Sequence, residues 1–165
     1  MTTHVWRIGA DTPDYGADDL TGAGAKKTGG RWNRQSLPVL YTAQTRALAC
    51  LETFVHLNAG DLPLNRFLVR LDIPDAVWAK AVSPPPPPVG WDAEPPGLVS
   101  INLGSDWLVS NTSALLIVPS VIVPEESNVL INPQHPDAAA IVASKIRKWT
   151  YDPRMVKPGP STAKP

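Results

Sequence analysis

Charge of one sign, cysteine and long apolar runs are all scarce in this chain, and each scarcity excludes something. Lys+Arg and Asp+Glu both number 15 among the 165 residues. A nucleic-acid-binding domain normally carries a basic excess, so no direct nucleic-acid partner is expected. The single cysteine, Cys50, rules out an intrachain disulfide framework. It lies in an apolar helical pattern and reads as packing. No apolar stretch approaches the roughly 18 residues of a spanning helix, so no membrane partner is expected either. The opening residues, MTTHVWRIGA, lack the basic segment and apolar run of a signal peptide, which makes the cytoplasm the expected location. The histidines, His4, His56 and His135, are far apart and come with no HExxH motif or paired cysteines, so no metal site is expected.

Proline is the residue in excess, at 19. Pro84–Pro88 are consecutive, and Pro95 and Pro96 follow. Such a run favours a stiff, extended segment, read here as a surface connection over about residues 80–97. The length suits one domain with a real core. The expected division is a single domain over residues 1–153 and a Pro-rich tail over residues 154–165.

Short strands are expected at 4–8 (HVWRI), 38–42 (PVLYT), 66–73 (RFLVRLDI), 114–118, 121–123 and 129–131, from their β-branched and apolar runs bounded by turn residues. Residues 9–30 read as a long Gly- and Asp-rich loop. Helices are expected at 44–57, 98–110 and 137–149. Thr42 or Thr45 caps the first of these, and Ala47, Leu48, Leu51, Phe54 and Val55 make its apolar stripe. At about 100° per residue, Glu52 falls some 40° beyond Leu48, at the margin of the stripe. The mixture of strands and helices is an α+β pattern.

The chemistry concentrates between Gly29 and Glu52. GAGAKKTGG, Gly22 to Gly30, invites a phosphate-loop reading and fails it. No Lys-Ser/Thr follows the last glycine, and Lys27 stands where the third glycine of GxGxxG belongs. Arg31 follows two glycines and precedes Trp32 and Asn33. Its guanidinium fork suits phosphate oxygens, the glycines allow close approach and Trp32 offers a stacking face; a surface turn is the plain alternative. Tyr41 ends a strand, as a core tyrosine or as an aromatic wall for a ligand. Ser120 follows a buried strand in a proline-rich bend, where most serines bond their own backbone. No G-x-S-x-G elbow supports a serine hydrolase.

Together these blocks resemble the RES-domain family, the toxin half of a class of bacterial toxin–antitoxin modules. The matching stretches are WRIG at Trp6–Gly9, GGRWN at Gly29–Asn33, PVLYTA at Pro38–Ala43, Leu51–Glu52, Val118–Ser120, and VPEESNVLINPQHP from Val123 to Pro136. The resemblance implies a compact core similar to that of ADP-ribosyltransferase toxins, with a cleft that binds NAD. It also implies degradation of NAD by cleavage of the nicotinamide–ribose bond, by hydrolysis or with phosphate as co-substrate, which depletes NAD and arrests growth; transfer of ADP-ribose to a cytosolic protein is the alternative. The family's Arg, Glu and Ser correspond to Arg31, Glu52 and Ser120. On that implication Glu52 stabilises the ribose cation, Arg31 holds the pyrophosphate and Tyr41 stacks on the substrate. Ser120 then hydrogen-bonds the ribose or carboxamide and orients Glu52, and Trp32 and Asn132 are further substrate contacts. No cofactor beyond NAD as substrate is implied. The implied partners are an Xre-type helix-turn-helix antitoxin that covers the active site and a second copy in a homodimer. A module that binds a nucleotide without turning it over is the non-enzymatic alternative.

Overall fold

The structure, a computed structural model, describes residues 1–58, 60–84 and 86–156. The expected tail from residue 157 onward, and Pro85 of the proline run, lie outside the described residues. The architecture is α+β. Six strands form one antiparallel sheet: β1 (Thr2–Ala10), β2 (Leu40–Ala43), β3 (Arg66–Pro74), β4 (Leu115–Pro119), β5 (Ser127–Ile131) and β6 (Val142–Lys148). Their order across the sheet is β4-β5-β2-β1-β3-β6. Helices α1 (Ala23–Thr28), α2 (Arg46–Phe54), α3 (Asp75–Trp78) and α4 (Leu98–Ser110) fill the connections. No helix among the described residues is long and apolar enough to cross a membrane.

Alternation along the strands divides the core between the two faces of the sheet. Ile8, Leu68 and Ala43 point to one face and bury Leu48 and Ala49 of α2. On the same face Leu116 and Leu130 pack against Trp32 and against Trp107 of α4. Val5, Val69, Leu71 and Ile73 point the other way, under Ala17 and Val77. Burying a Leu or Val side chain contributes about 1.5–3 kcal/mol, so both faces hold the sheet.

One irregularity in this sheet creates the site. β1 pairs with β3 along its whole length, from Thr2 opposite Pro74 to Ala10 opposite Arg66. To β2 it is joined by one residue pair, Trp6 opposite Ala43. Beyond that point β1 and β2 diverge, while β2 stays paired to β5 from Leu40 opposite Ile131 to Ala43 opposite Asn128. The sheet is therefore split in its middle, and the backbone edges facing the split are not paired to each other.

Helix α4 spans the expected residues and ends at Asn111, whose left-handed backbone (φ 52°) stops it. Helix α2 starts where Thr45 Oγ1 accepts from the Leu48 amide at 3.1 Å, so Thr45 rather than Thr42 is the cap. Its apolar stripe is turned from the expected one. Leu48, Ala49 and Cys50 are buried, while Ala47 and Val55 are exposed. That rotation carries Glu52 inward.

Three expectations fail. Residues 121–123 form a bend rather than a strand, because the Ser120 side chain holds the amides of Ile122 and Val123 at 3.0 and 3.1 Å. The loop over 9–30 contains helix α1, and β1 reaches into its start. The helix expected at 137–149 is a short 3-10 turn, Pro136–Ala140, followed by β6. Ala, Lys and Arg favour a helix there locally. The outer edge of β3, however, presents unpaired amides and carbonyls, and residues 142–148 satisfy them from Asp72–Val142 to Phe67–Lys148. Tertiary pairing of obligatory backbone groups outweighs a propensity of a few tenths of a kcal/mol per residue.

Candidate active site

A cavity of about 560 Å³ occupies the split between β1 and β2. That is within the roughly 300–1,000 Å³ typical of small-molecule sites. Arg7, Arg31, Tyr41, Glu52, Glu94 and Asn128 are among the residues that line it.

Glu52 is the best-defined group in the cavity. It projects from α2 toward the β2–β5 seam. Its Oε1 accepts two hydrogen bonds, from Ser120 Oγ at 2.8 Å and from Asn128 Nδ2 at 2.6 Å. Its other oxygen accepts none from the described residues, so one side of the carboxylate is fixed and the other is left for a ligand. Asn128 stands on β5 opposite Ala43 of β2 and opposite Val118 of β4. Its amide must present Nδ2 to Glu52, because the reverse would set a carbonyl against a carboxylate. That leaves Asn128 Oδ1 buried with no partner among the described residues.

Ser120 has no exposed surface and does not line the cavity. Its hydroxyl gives its proton to Glu52 and accepts the two amides of the bend. It can orient Glu52; direct ribose contact, the other expectation, has no surface to act through. Replacing Ser120 by Ala strands two amides and releases Glu52. We expect a stability loss of about 1–2 kcal/mol, measurable by urea denaturation.

The phenol of Tyr41 accepts the Trp32 amide at 3.0 Å and donates to Asn33 Oδ1 at 2.7 Å. Burial pushes that phenol well above its ordinary range, so it stays neutral. Asn33 in turn gives Nδ2 to the carbonyls of Ala25 and Leu37 at 2.9 and 3.0 Å. Tyr41 thus forms a wall of the cavity and ties its floor, residues 25–37, to the sheet.

Arg31 reaches the cavity already engaged. Its Nη1 donates to the carbonyls of Trp91 and Ala93 at 3.2 and 2.7 Å, and its Nη2 to Glu94 Oε2 at 2.7 Å. All three acceptors come from the proline-rich connection, so Arg31 pins that segment over the cavity.

Two expected contacts are buried. Trp32 borders the cavity but is only 2% exposed, with its indole stacked on Trp91 at 6.2 Å between ring centres, so it offers a ligand little surface. Asn132 is also buried. It donates to Asn111 Oδ1 at 2.9 Å, accepts the Gln134 amide at 3.0 Å and does not line the cavity. Both are core residues: Trp32 packs with Trp107, Leu108 and Leu116, and Asn132 is held at the end of α4 by Leu108 and Asn111. Asn128 and Arg7 were not anticipated as individual residues. Each lies inside a block that carried the resemblance, but only strand register shows that its side chain enters the cavity. Among the described residues no cluster of His, Cys, Asp and Glu is placed to hold a metal ion. Burial raises the Cys50 thiol above its usual range, against any nucleophilic role.

Comparison with known proteins fits this geometry. The RES domain family matches residues 4–154. A protein named "Prs ADP-ribosylating toxin" from Sphingobium sp. (strain YBL2) is 62% identical over 159 residues, covering 95% of this chain and 99% of that one. Proteins named "Toxin Res" from Pseudomonas putida and Yersinia enterocolitica are 36% and 34% identical, over 92% and 86% of this chain and 98% and 93% of their own lengths.

Proposed function

The chain belongs to the RES-domain family, and from that premise we propose that it is a toxin that breaks the nicotinamide–ribose bond of NAD and passes the ADP-ribose to a protein. The observation that carries the reading is the Glu52 carboxylate, held on one oxygen by Ser120 and Asn128 and open to the cavity on the other. Breaking an N-glycosidic bond builds positive charge on the ribose. A preoriented carboxylate in a partly water-excluded cleft stabilises that charge with little reorganisation. Nicotinamide departs neutral from a cationic precursor, so no second carboxylate is needed to protonate it. Neutral Tyr41 supplies an aromatic wall beside the reacting ring.

The acceptor is what separates the readings. The relative at 62% identity is named for ADP-ribosylating Prs, which supports a protein acceptor of that kind. The "Toxin Res" relatives carry no acceptor in their names, and water or phosphate as acceptor is the second reading. Incubating the purified chain with NAD labelled in the adenylate half, with and without lysate and with and without phosphate, separates these cases. Label on a protein band supports transfer. Label only on ADP-ribose, or on a phosphorylated product, replaces it with hydrolysis or phosphorolysis. NAD left intact in every arm would sink the catalytic reading. We also propose that a cognate antitoxin, of the Xre type, covers the cavity. Co-expression with it should relieve the growth arrest that the toxin alone causes.

In this scheme Ser120 is a positioning residue. Ser120→Ala should slow nicotinamide release about tenfold through the loss of one charge-assisted hydrogen bond, and Ser120→Thr, which keeps the hydroxyl, should restore part of the rate. A rate unchanged in Ser120→Ala would remove Ser120 from the mechanism.

A further inference from the structure

The cavity is lined by a cation, Arg7, that makes no ion pair among the described residues. Arg7 lies on β1 beside the split and lines the cavity. Its only hydrogen bond among the described residues is a long one, from Nη1 to the Asp19 carbonyl at 3.5 Å. A guanidinium has five donors, so most of them are unspent. Of the two nearby carboxylates, neither hydrogen-bonds Arg7 among the described residues, although both bear on its charge. Asp19 accepts both contacts of the Thr21 hydroxyl, at 2.8 and 2.9 Å, and Asp18 lies 3.9 Å from Lys145 Nζ. Burial drives the Arg7 guanidinium below its ordinary range, opposed by Asp19, Tyr15 and Asp18. An unpaired cation enclosed by protein is costly to keep, and a ligand of opposite charge would offset that cost.

Arg31 is in the opposite condition. Two carbonyls and the Glu94 carboxylate already satisfy its fork. An anion that binds Arg31 must displace Glu94, whereas one that binds Arg7 displaces nothing charged. Four glycines, Gly22, Gly24, Gly29 and Gly30, also border the cavity, and the space a Cβ would fill at Gly22, Gly24 and Gly30 is taken by Val39, Tyr15 and Tyr41.

We infer that Arg7, rather than Arg31, is the principal anchor for the diphosphate of the substrate, and that Arg31 serves chiefly to fasten the proline-rich segment as a cavity wall. This assignment rests on the NAD reading for the identity of the ligand, but the anion site itself does not. A guanidinium grips a diphosphate through paired N–H···O contacts.

The test is a calorimetric titration of the full-length chain with two probes, inorganic pyrophosphate and ADP-ribose. Wild type should bind both. Arg7→Met should weaken both by about 10- to 100-fold, the usual range for losing a charged hydrogen-bonding group, and Arg31→Met should weaken them less. Should Arg7→Met fail to fold, Arg7→Gln keeps a donor for the Asp19 carbonyl and takes its place. Equal binding by wild type and the Arg7 variant, or a loss confined to Arg31→Met, overturns the anchor and leaves the NAD reading standing. Pyrophosphate binding that depends on Arg7, with no binding of ADP-ribose or NAD, keeps the anion site and sinks the NAD reading instead.

Discussion

Replacing Glu52 by glutamine will suppress nicotinamide release from NAD by about 10²–10³-fold or more, the range seen when one preorganised electrostatic group is removed from an active site. The substitution is chosen to separate charge from structure. Glutamine retains an Oε1 that can accept from Ser120 Oγ and Asn128 Nδ2 as Glu52 does. Helix α2 keeps its buried Leu48, Ala49 and Cys50. Only the negative charge facing the cavity is lost. The thermal midpoint should therefore stay close to that of wild type while the rate collapses, and binding of NAD should change far less than turnover. Release at the wild-type rate by a folded Glu52→Gln protein would remove the carboxylate from the chemistry. Loss of both fold and activity would show that Glu52 is structural instead.

The second large effect is on stability, and its sign reverses the one that helix propensity alone predicts. Gly104 lies inside α4, where glycine costs about 1 kcal/mol relative to alanine. Judged on the helix in isolation, Gly104→Ala should stabilise. In the folded protein a Cβ at this position would sit 1.9 Å from the Trp32 carbonyl oxygen and 2.7 Å from its carbon. Those are backbone atoms and cannot swing aside. The same short segment is fixed from several sides, since the Arg34 amide donates to Ser105 Oγ at 3.1 Å and the Trp32 amide to Tyr41 at 3.0 Å. Overpacking costs about 1–3 kcal/mol and occasionally more, and a collision with main chain belongs at the upper end. We expect a net loss of at least about 2 kcal/mol, which for a chain of this size lowers the thermal midpoint by roughly 4–8 °C. Because Arg31 adjoins the displaced segment, turnover should fall as well. A midpoint at or above the wild-type value would refute the close packing of α4 on Trp32.

Gly104 also shows where reading the chain in one dimension stops. Helix α4 is legible from residues 98–110, but nothing in LVSINLGSDWLVS indicates that Gly104 meets a carbonyl from seventy residues earlier. The late helix expected at 137–149 fails for a related reason. Its local preferences are real and small, and they are overruled by the edge of a strand formed by residues 66–74. Glu52 is the intermediate case. Periodicity places it at the margin of the α2 stripe, and a rotation of that helix decides that it faces inward.

By itself the sequence determined most of the elements, though not the late strand β6 or the short helix α1, and it determined the family. Strands and helices follow from the spacing of apolar residues within a few turns of chain, and family membership follows from short blocks in a given order. Both are local properties of the chain, so Arg31, Tyr41, Glu52 and Ser120 could be singled out without coordinates. Only the tertiary structure decided what each of them touches. Whether a guanidinium is free or occupied depends on which acceptors the fold brings to it. The fold brings residues 91–94 to Arg31 and, among the described residues, a single distant carbonyl as hydrogen-bond acceptor to Arg7. It turns Trp32 and Asn132 into core and sets Asn128 beside Glu52. The cavity exists because β1 and β2 part after a single residue pair, and pairing between strands that lie more than thirty residues apart is a property of the whole packed sheet.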